Sequence, residues 1–395
     1  MIARRYGAAL ALLGLGVLGC HGLALGSRDR WDWNATASPY LPARPELRWR
    51  ARLAVPTDLE VRSRARATPV VDAERGVIFV GGLDRGLHAL RIRDGAELWR
   101  FQMLGDCEGS AVLDGDTLFV GSNDGALYAL NADTGSLRWR FATVAEVTRR
   151  PVVTQDSVYF ANADDTVYAV NRASGEQRWR YRREPPGGIT ASGYAGVLAV
   201  GDRLITGFSD GHVIALSIGD GSVAWDRDTN SDSESAEGAT EAHRLIDVDT
   251  TPVIVGGSLF AASHVAGLYS LDPNGGGTRW RNDTLNDISG LATDGRDLYA
   301  ASSSQGLMRI DPSDGTVRWT RDLEARGFSD LMVREGVLFV PTSDRALWLV
   351  RTEDGEPMLG FGDEGVSALP ALTHDWMFVN SNRSVVTAWR FPPRS

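Results

Sequence analysis

The stretch at residues 110–141, SAVLDGDTLFVGSNDGALYALNADTGSLRWRF, decides the fold that we predict for this chain. It contains four short apolar runs, separated by the turn sequences Asp-Gly, Asn-Asp-Gly and Asp-Thr-Gly. Short runs rich in Val, Leu and Tyr that end at such turns are typical of antiparallel strands joined by tight hairpins. The stretch therefore predicts a four-stranded antiparallel meander.

This unit recurs along the chain. Residues 150–181 repeat it nearly position for position, and eight second strands can be counted between residues 77 and 379. A self-similar unit of about 40–45 residues with four strands is typical of β-propellers. The sequence thus predicts an all-β fold, an eight-bladed propeller of four-stranded antiparallel blades. A Trp ends the fourth run at positions 99, 139, 179, 225, 280 and 319.

The last repeats predict how the ring closes. The seventh repeat has Leu359 in the Trp position, and the eighth ends near Arg390 without a fourth strand. Residues 46–50, ELRWR, have the pattern of that fourth strand and precede the first repeat. We expect this N-terminal strand to complete the last blade, so that the propeller spans residues 46–391. Closure would remove the open sheet edges that promote aggregation.

The N-terminal residues predict export and a lipid anchor. Two arginines precede an apolar stretch at residues 8–18, which is too short to span a bilayer. The sequence Val-Leu-Gly-Cys ending at Cys20 is similar to a bacterial lipobox, with Cys20 as the lipidated (palmitate-carrying) residue. We therefore predict a signal peptide at 1–19, a flexible tether at 20–45, and a location on the periplasmic face of the outer membrane. The alternative is a simple signal peptide with an incidental cysteine.

The composition and the motifs argue against nucleic-acid binding, a serine hydrolase and a metal site. The net charge of −10 argues against nucleic acid as a partner. Ser209 lies in a GxSxG match that aligns with a hairpin turn, which is the wrong context for a nucleophile. The six histidines form no HxxH pair, so no metal site is predicted. Cys107 is interpreted as a partly buried small residue, with a reactive cysteine as the alternative. An acidic insertion at 226–246 is predicted to be a solvated loop, with partner binding as the alternative.

The motif A-x-N-x-x-T-G-x-x-x-W at residues 129–139 resembles the repeat of the pyrroloquinoline quinone (PQQ) dehydrogenases. If this chain were such an enzyme, the resemblance would imply a disulfide between two adjacent cysteines over the cofactor, together with a Ca²⁺ site. This chain has two cysteines, Cys20 and Cys107, which are not adjacent. We therefore predict a protein that is not an enzyme and carries no cofactor, and keep a quinoprotein dehydrogenase as the least favoured alternative.

The stretch at residues 240–252, TEAHRLIDVDTTP, breaks the repeat and resembles the BamB family, the propeller lipoproteins of the outer-membrane β-barrel assembly machinery. The resemblance implies a scaffold that docks a periplasmic POTRA domain of BamA, the barrel subunit, and works with other subunits of the complex. By position, Asp247 and Asp249 would be the acidic contacts, flanked by Arg244. Carboxylates at i and i+2 on an extended chain point the same way and can hold one basic side chain.

Two questions about this stretch remain open at the level of sequence. The Asp and Thr residues before Pro252 can also serve only to hydrogen-bond the turn that starts the blade. The second docking element of the family should fall near residues 188–193, where only Ile189 and the glycines match it. The alternative function is that of a generic periplasmic propeller that binds another protein or a cell-wall polymer.

Overall fold

The structure is a computed structural model that describes residues 44–54, 64–184, 194–232, 247–264, 266–325, 327–361 and 365–391. Within these ranges the chain forms 32 β-strands and one 3-10 helix, Asn230–Asp232. The strands pair into eight sheets of four antiparallel strands each. The predicted all-β, eight-bladed propeller is therefore confirmed.

Blades one to four each use four consecutive strands, so that every blade is a meander as the sequence predicted. The first strand begins each blade and the fourth forms its outer edge. Strand β1 (Glu46–Arg52) precedes these blades. The strands are β2 (Val70–Asp72), β3 (Val77–Gly81), β4 (Gly86–Arg91) and β5 (Glu97–Gln102); β6 (Val112–Asp114), β7 (Thr117–Gly121), β8 (Ala126–Asn131) and β9 (Leu137–Ala142); β10 (Val152–Val153), β11 (Ser157–Asn162), β12 (Thr166–Asn171) and β13 (Gln177–Arg182); and β14 (Leu198–Val200), β15 (Arg203–Gly207), β16 (His212–Ser217) and β17 (Val223–Asp228).

Blades five to seven repeat this arrangement, and blade eight has three strands from the C-terminal part of the chain. The strands are β18 (Val253–Val255), β19 (Ser258–Ser263), β20 (Gly267–Leu271) and β21 (Thr278–Asn282); β22 (Ile288–Thr293), β23 (Leu298–Ser302), β24 (Gly306–Ile310) and β25 (Val317–Arg321); β26 (Met332–Arg334), β27 (Val337–Pro341), β28 (Leu347–Arg351) and β29 (Pro357–Phe361); and β30 (Ala371–Leu372), β31 (Trp376–Asn380) and β32 (Val385–Arg390).

Strand β1 supplies the fourth strand of blade eight. It pairs antiparallel with β32, with Trp49 opposite Ala388 and Arg52 opposite Val385. The sheet order is β1-β32-β31-β30, so the first strand of the propeller lies beside its last. The predicted closure by the N-terminal strand is confirmed.

The outer-strand tryptophans join each blade to the next. Each indole N–H donates to a carbonyl oxygen in the turn between the third and fourth strands of the following blade. Each ring also covers a glycine of that turn whose φ is +70° to +78°, where a Cβ atom would lie 2.5–2.9 Å from the indole. Glycine is required there both by conformation and by space. The bonds are Trp49–Ile92 (2.7 Å), Trp99–Ala132 (3.1 Å), Trp139–Arg172 (3.0 Å), Trp179–Ile218 (3.0 Å), Trp225–Pro273 (3.0 Å), Trp280–Pro312 (3.0 Å) and Trp319–Thr352 (3.1 Å).

Leu359 replaces the tryptophan in blade seven, and the topology gives the reason. The fourth strand of blade eight comes from the N-terminal end of the propeller, so no turn joins it to β32. A tryptophan in blade seven would have no such turn to cover. Leu359 pairs with Leu349 at the position that tryptophan takes in other blades. It packs in the cluster between blades seven and eight.

The core is divided among the interfaces between neighbouring blades. One cluster, for example, places Phe79 and Leu87 of blade one against Leu118 and Tyr128 of blade two. Such burial stabilises the ring by about 25 cal/mol for each Å² of apolar surface removed from water. A propeller therefore needs no single large core.

Antiparallel strands give the ring two unlike faces. One, which we name the turn face, carries the turns between first and second and between third and fourth strands; there the Ala132 N–H donates to the Asp116 carbonyl at 2.9 Å. The other, the loop face, carries the turns between second and third strands together with the loops between blades. There the Asn123 N–H donates to the Asp106 carbonyl at 3.0 Å. The segment that resembles the docking motif lies on the loop face.

Candidate functional site

Residues 247–252 connect blade four to blade five, and the structure holds them firmly. Asp247 is only 1% exposed, and its carbonyl accepts a hydrogen bond from the His264 N–H at 3.1 Å. The Val248 N–H donates to the Phe208 carbonyl of blade four at 3.1 Å. The segment is thus fixed between turns of two blades. The burial of Asp247 does not favour the direct partner contact that the resemblance implies for it.

Asp249 is the more accessible of the two predicted carboxylates. Its side chain is 17% exposed, and Oδ2 lies 3.4 Å from Nε2 of His264. Its other oxygen, Oδ1, is enclosed and has no hydrogen-bond partner within the part of the chain that the structure describes. The hydrogen bond to Asp249 raises the pKa of His264 despite partial burial, and the charge of Asp247 adds to this effect. The site therefore pairs a histidine with two acidic groups.

The two threonines of the segment have structural partners. Thr250 is buried, and its Oγ1 accepts a hydrogen bond from the Ala262 N–H at 3.3 Å. Oγ1 of Thr251 accepts one from the Gly196 N–H at 3.0 Å. These bonds agree with the turn-forming alternative for the threonines, whereas Asp249 keeps part of its surface open to a partner.

Arg149 completes the site, and sequence reasoning missed it. Its Nε donates to the Tyr194 carbonyl at 2.6 Å, and Nη2 donates to the Asp249 carbonyl at 3.2 Å. Its Nη1 lies 3.3 Å from Oδ2 of Asp330. Arg149 precedes blade three and Asp330 precedes blade seven, which are opposite blades of an eight-membered ring. The ion pair therefore crosses the mouth of the central channel.

Several predicted residues lie outside the described residues: Cys20, Arg244 and Ile189. The predicted insertion at 226–246 starts later in the structure, because β17 runs to Asp228 and the 3-10 helix follows it. The rest of the predicted insertion, residues 233–246, also lies outside the described ranges.

Two interpretations that concern reactive side chains can be checked. Cys107 is buried more completely than predicted, and burial raises the pKa of its thiol, so the reactive thiolate is disfavoured. Ser209 lies in the tight turn between β15 and β16, as predicted, and its hydroxyl donates to Asp165.

The donor groups of the chain do not fit the site of a quinone dehydrogenase. Cys107 is buried and lacks an adjacent cysteine. In the described part of the chain, no group of three or more His, Cys, Asp or Glu side chains is arranged to hold a metal ion. Across the same ranges, no helix is long and apolar enough to cross a membrane.

The loop face contains carboxyl groups that are costly to ionise. Burial raises the pKa of Glu108, although the Asn123 amide donates to it at 3.1 Å. Burial also raises the pKa of Asp165, although Ser209 donates to it. Perturbed carboxyl groups of this kind concentrate at functional surfaces.

The chain is similar in sequence to a known protein family and to several of its members. The family model for "Outer membrane protein assembly factor BamB" matches residues 83–320 and 266–359. BamB of Yersinia pestis is 25% identical over 189 residues, which is 47% of each chain. BamB of Escherichia coli K12 is 34% identical over 91 residues, 23% of this chain and 22% of that protein. The chain thus matches from about a fifth to about half of the length of these curated relatives.

Solved structures show the same fold. The crystal structure of BamB from Moraxella catarrhalis superposes with a TM-score of 0.72 at 21% identity, and covers 88% of this chain and 100% of that one. At this identity the likeness shows the propeller fold alone.

Proposed function

Because the chain belongs to the BamB family, whose model matches residues 83–359 in two overlapping parts, we propose that it is a non-enzymatic scaffold of outer-membrane protein assembly. In this proposal its loop face docks a periplasmic POTRA domain of a BamA-like barrel subunit, and other subunits join the same complex. The single observation that carries the proposal is the position of Asp249 on that face, held in place but partly open to a partner.

The proposal assigns the direct contact to one of the two carboxylates. Asp249 is the carboxylate that a basic side chain of the partner can reach. Asp247 is buried, and it acts on the site through its charge and through the hydrogen bond that its carbonyl accepts from the His264 N–H. A charge-assisted hydrogen bond to a partly enclosed carboxylate is stronger than one to a fully solvated group.

We also propose that Cys20 carries the lipid and holds the protein at the periplasmic face of the outer membrane. A tether at 20–45 would let the propeller move away from the membrane surface by at most roughly 3.3–3.6 Å per residue. That reach is enough for the loop face to meet a periplasmic domain. Replacing Cys20 with Ala should release a folded protein into the periplasm; retention in the salt-washed membrane fraction would contradict this anchor.

The proposal can be tested by binding to the purified POTRA region of the BamA homologue from the same organism. Asp249→Ala should weaken binding about 10- to 100-fold, since a hydrogen bond to a charged group contributes about 1.5–3 kcal/mol. Asp249→Lys should weaken it further, because like charges would meet. Thermal stability should fall less than binding does, since the Asp249 side chain is 17% exposed and loses only its contact with His264.

The matched control is Asp202→Ala. Asp202 is an almost fully exposed carboxylate on the turn face, so its loss should leave binding unchanged. Wild-type protein that does not bind the POTRA region would overturn the proposal. Equal binding by wild type and by a stable Asp249→Lys variant would exclude Asp249 from the interface.

A further inference from the structure

Arg149 is exceptional among the eight equivalent positions of the ring. In blade three, Val152 of the first strand pairs with Tyr159, the third residue of β11. Arg149 lies three residues before Val152. Strand pairing identifies the same position in the other blades. In six of them the side chain is small, and in blade six, where the register shifts, it is the apolar Ile288. The six small residues are Ala67, Gly109, Ala195, Thr250, Ser329 and Ala368.

The blade fold therefore does not need an arginine at this position. The main chain at Arg149 is held independently of its side chain, because the Tyr194 hydroxyl accepts hydrogen bonds from the Arg149 N–H at 3.3 Å and the Thr148 N–H at 2.5 Å. The guanidinium therefore has a role other than holding the main chain of its own residue.

The guanidinium joins three other segments of the loop face. Its Nε and Nη2 hold the carbonyls of Tyr194 and Asp249, before blades four and five, and Nη1 reaches Asp330 before blade seven. It also lies over the Tyr194 ring, 5.9 Å from its centre. Three separate donors on one rigid plane are a property of arginine that lysine lacks.

Stability alone is a poor explanation for this arrangement. The side chain of Arg149 is 25% exposed and that of Asp330 is 49% exposed. Ion pairs at such exposure typically contribute little to folding stability. The bond to the Asp249 carbonyl, in contrast, fixes the main chain of the carboxylate at the centre of the proposed docking site.

We propose that Arg149 is a positioning residue for partner docking, which holds the main chain of Asp249 so that its carboxylate is already oriented toward the POTRA domain. This inference rests on the proposed function. It also gives the cross-channel pair a role: Asp330 keeps the guanidinium turned across the mouth of the channel, toward the two carbonyls. A site that is ordered before binding loses less conformational entropy when the partner arrives.

The test uses the full-length protein with three variants and two measurements. The variants are Arg149→Met, Arg149→Lys and Arg150→Met. Arg150 is the exposed neighbour of Arg149, so Arg150→Met removes the same charge from the same loop and is the matched control. The measurements are hydrogen exchange at the amides of residues 247–251 and the Kd for the purified POTRA region of the cognate BamA homologue.

We expect Arg149→Met to accelerate exchange in this segment and to weaken POTRA binding about tenfold, a typical coupling between neighbouring groups. Arg149→Lys should weaken it about threefold, because an ammonium cannot hold both carbonyls and Asp330 at once. Arg150→Met should stay within about twofold of wild type. In the Asp249→Ala background, Arg149→Met should cost less than it does alone, which a merely structural role would not produce.

The outcomes separate the two proposals. Wild type that fails to bind the POTRA region overturns the proposed function and the inference with it. Wild type that binds, with an Arg149→Met variant that binds equally well, overturns the inference alone. Equal losses for Arg149→Met and Arg150→Met would show a general charge effect and also overturn it. If Arg149→Met does not fold, the Arg149→Lys variant decides by the same two measurements.

Discussion

Carboxyl groups on the two faces of the ring differ in the direction of their pKa shifts. On the turn face, the hydrogen bond from Ser313 and the pairing with Arg318 lower the pKa of Asp311 to about 2. Burial opposes the ionisation of Asp297 there, but the hydrogen bonds from Arg309 and Arg296 outweigh it and lower its pKa. On the loop face, burial raises the pKa values of Glu108 and Asp165. The pKa of a carboxyl group with burial opposing its ionisation is thus lowered where a basic side chain is in contact and raised where none is.

Asp84 shows that the difference lies in the partners and not in the face itself. It belongs to the loop face, and its burial is outweighed by the hydrogen bond and charge of His88 and by the charge of Arg100, so that its pKa is lowered. Glu108 and Asp165 accept from an amide and a hydroxyl instead. Loop-face carboxyl groups that lack a basic neighbour are therefore costly to ionise, and a basic group of the proposed partner would reduce that cost.

The two arginine clusters sharpen this comparison. Arg309, like Arg149, holds two carbonyls and one aspartate: Nη1 lies 3.1 Å from the Glu353 carbonyl, and Nη2 lies 2.7 Å from Oδ2 of Asp297. The Asp297 side chain is fully buried, however, and the cluster joins adjacent blades six and seven. Arg149 is more exposed and joins opposite blades. We expect the first cluster to matter for folding and the second for docking.

The largest expected effect concerns a turn-face contact, the one that closes the ring. Trp49→Ala removes an indole that is 9% exposed and donates to the Ile92 carbonyl at 2.7 Å. Losing a buried aromatic ring typically costs about 3–5 kcal/mol. We therefore expect a loss of that size in the free energy of unfolding, measured by chemical denaturation.

Leu359→Ala is the control for this prediction. Leu359 holds the same strand position but covers no turn, and it is only partly buried, so its truncation should cost less. If the two variants were equally destabilised, the contact between the indole and the turn of the next blade would not be what stabilises each seam.

The next effect in size is that of Asp297→Asn, which should lower the free energy of unfolding by about 3 kcal/mol. Removing one partner of a buried ion pair costs about 3–5 kcal/mol. The lower value is expected because Arg309 keeps its carbonyl acceptors. Binding to the POTRA region should not change. Asp354→Asn is the control, since its pair with Arg351 is exposed and should contribute about 0–1 kcal/mol.

The same variant has a predictable pH dependence. Because the pKa of Asp297 is lowered in the folded protein, its contribution is present above its unfolded pKa of about 3.9 and is lost as the pH falls through the folded value. The difference between wild type and Asp297→Asn should therefore shrink in acid. A difference that stayed constant down to low pH would mean that the charge of Asp297 is not its source.

Much of the turn face could be predicted from the sequence, because its tryptophan contacts recur in seven of the eight blades. The tryptophan spacing predicted the blades, and the missing fourth strand predicted that residues 46–50 close the ring. The loop face could not be predicted in the same way. The burial of Asp247 depends on how the turns of blades four and five meet above it, and Arg149 is 181 residues from Asp330 in the chain. One signal was present, since Arg149 stands where no other repeat has a charged residue.

On the loop face, Glu108→Gln is expected to have a smaller effect of the opposite sign, a gain in stability instead of a loss. Because burial raises the pKa of Glu108, the folded protein is stabilised by protonation of this group, and its stability falls as the pH rises from the unfolded value of about 4.3 through the folded value. The neutral amide should therefore raise the melting temperature at pH 7 and have little effect at pH 4. A lower melting temperature at pH 7 would show that the carboxylate is compensated in the free protein.

The smallest expected effect concerns His264, beside the carboxylate of Asp249 that we propose for docking. The hydrogen bond to Asp249 raises the pKa of His264 above its usual value of about 6.5. The contribution of this pair to stability is therefore complete below about pH 6.5 and is lost as the pH rises through the folded value. His264→Gln should flatten the decline of stability between pH 6 and pH 9, measured by melting at a series of pH values. His374→Gln is the matched control, because His374 is 82% exposed on the turn face and should leave the profile unchanged. A wild-type profile that is already flat, or one that His264→Gln leaves as steep as before, would mean that the imidazole and Asp249 do not interact in solution.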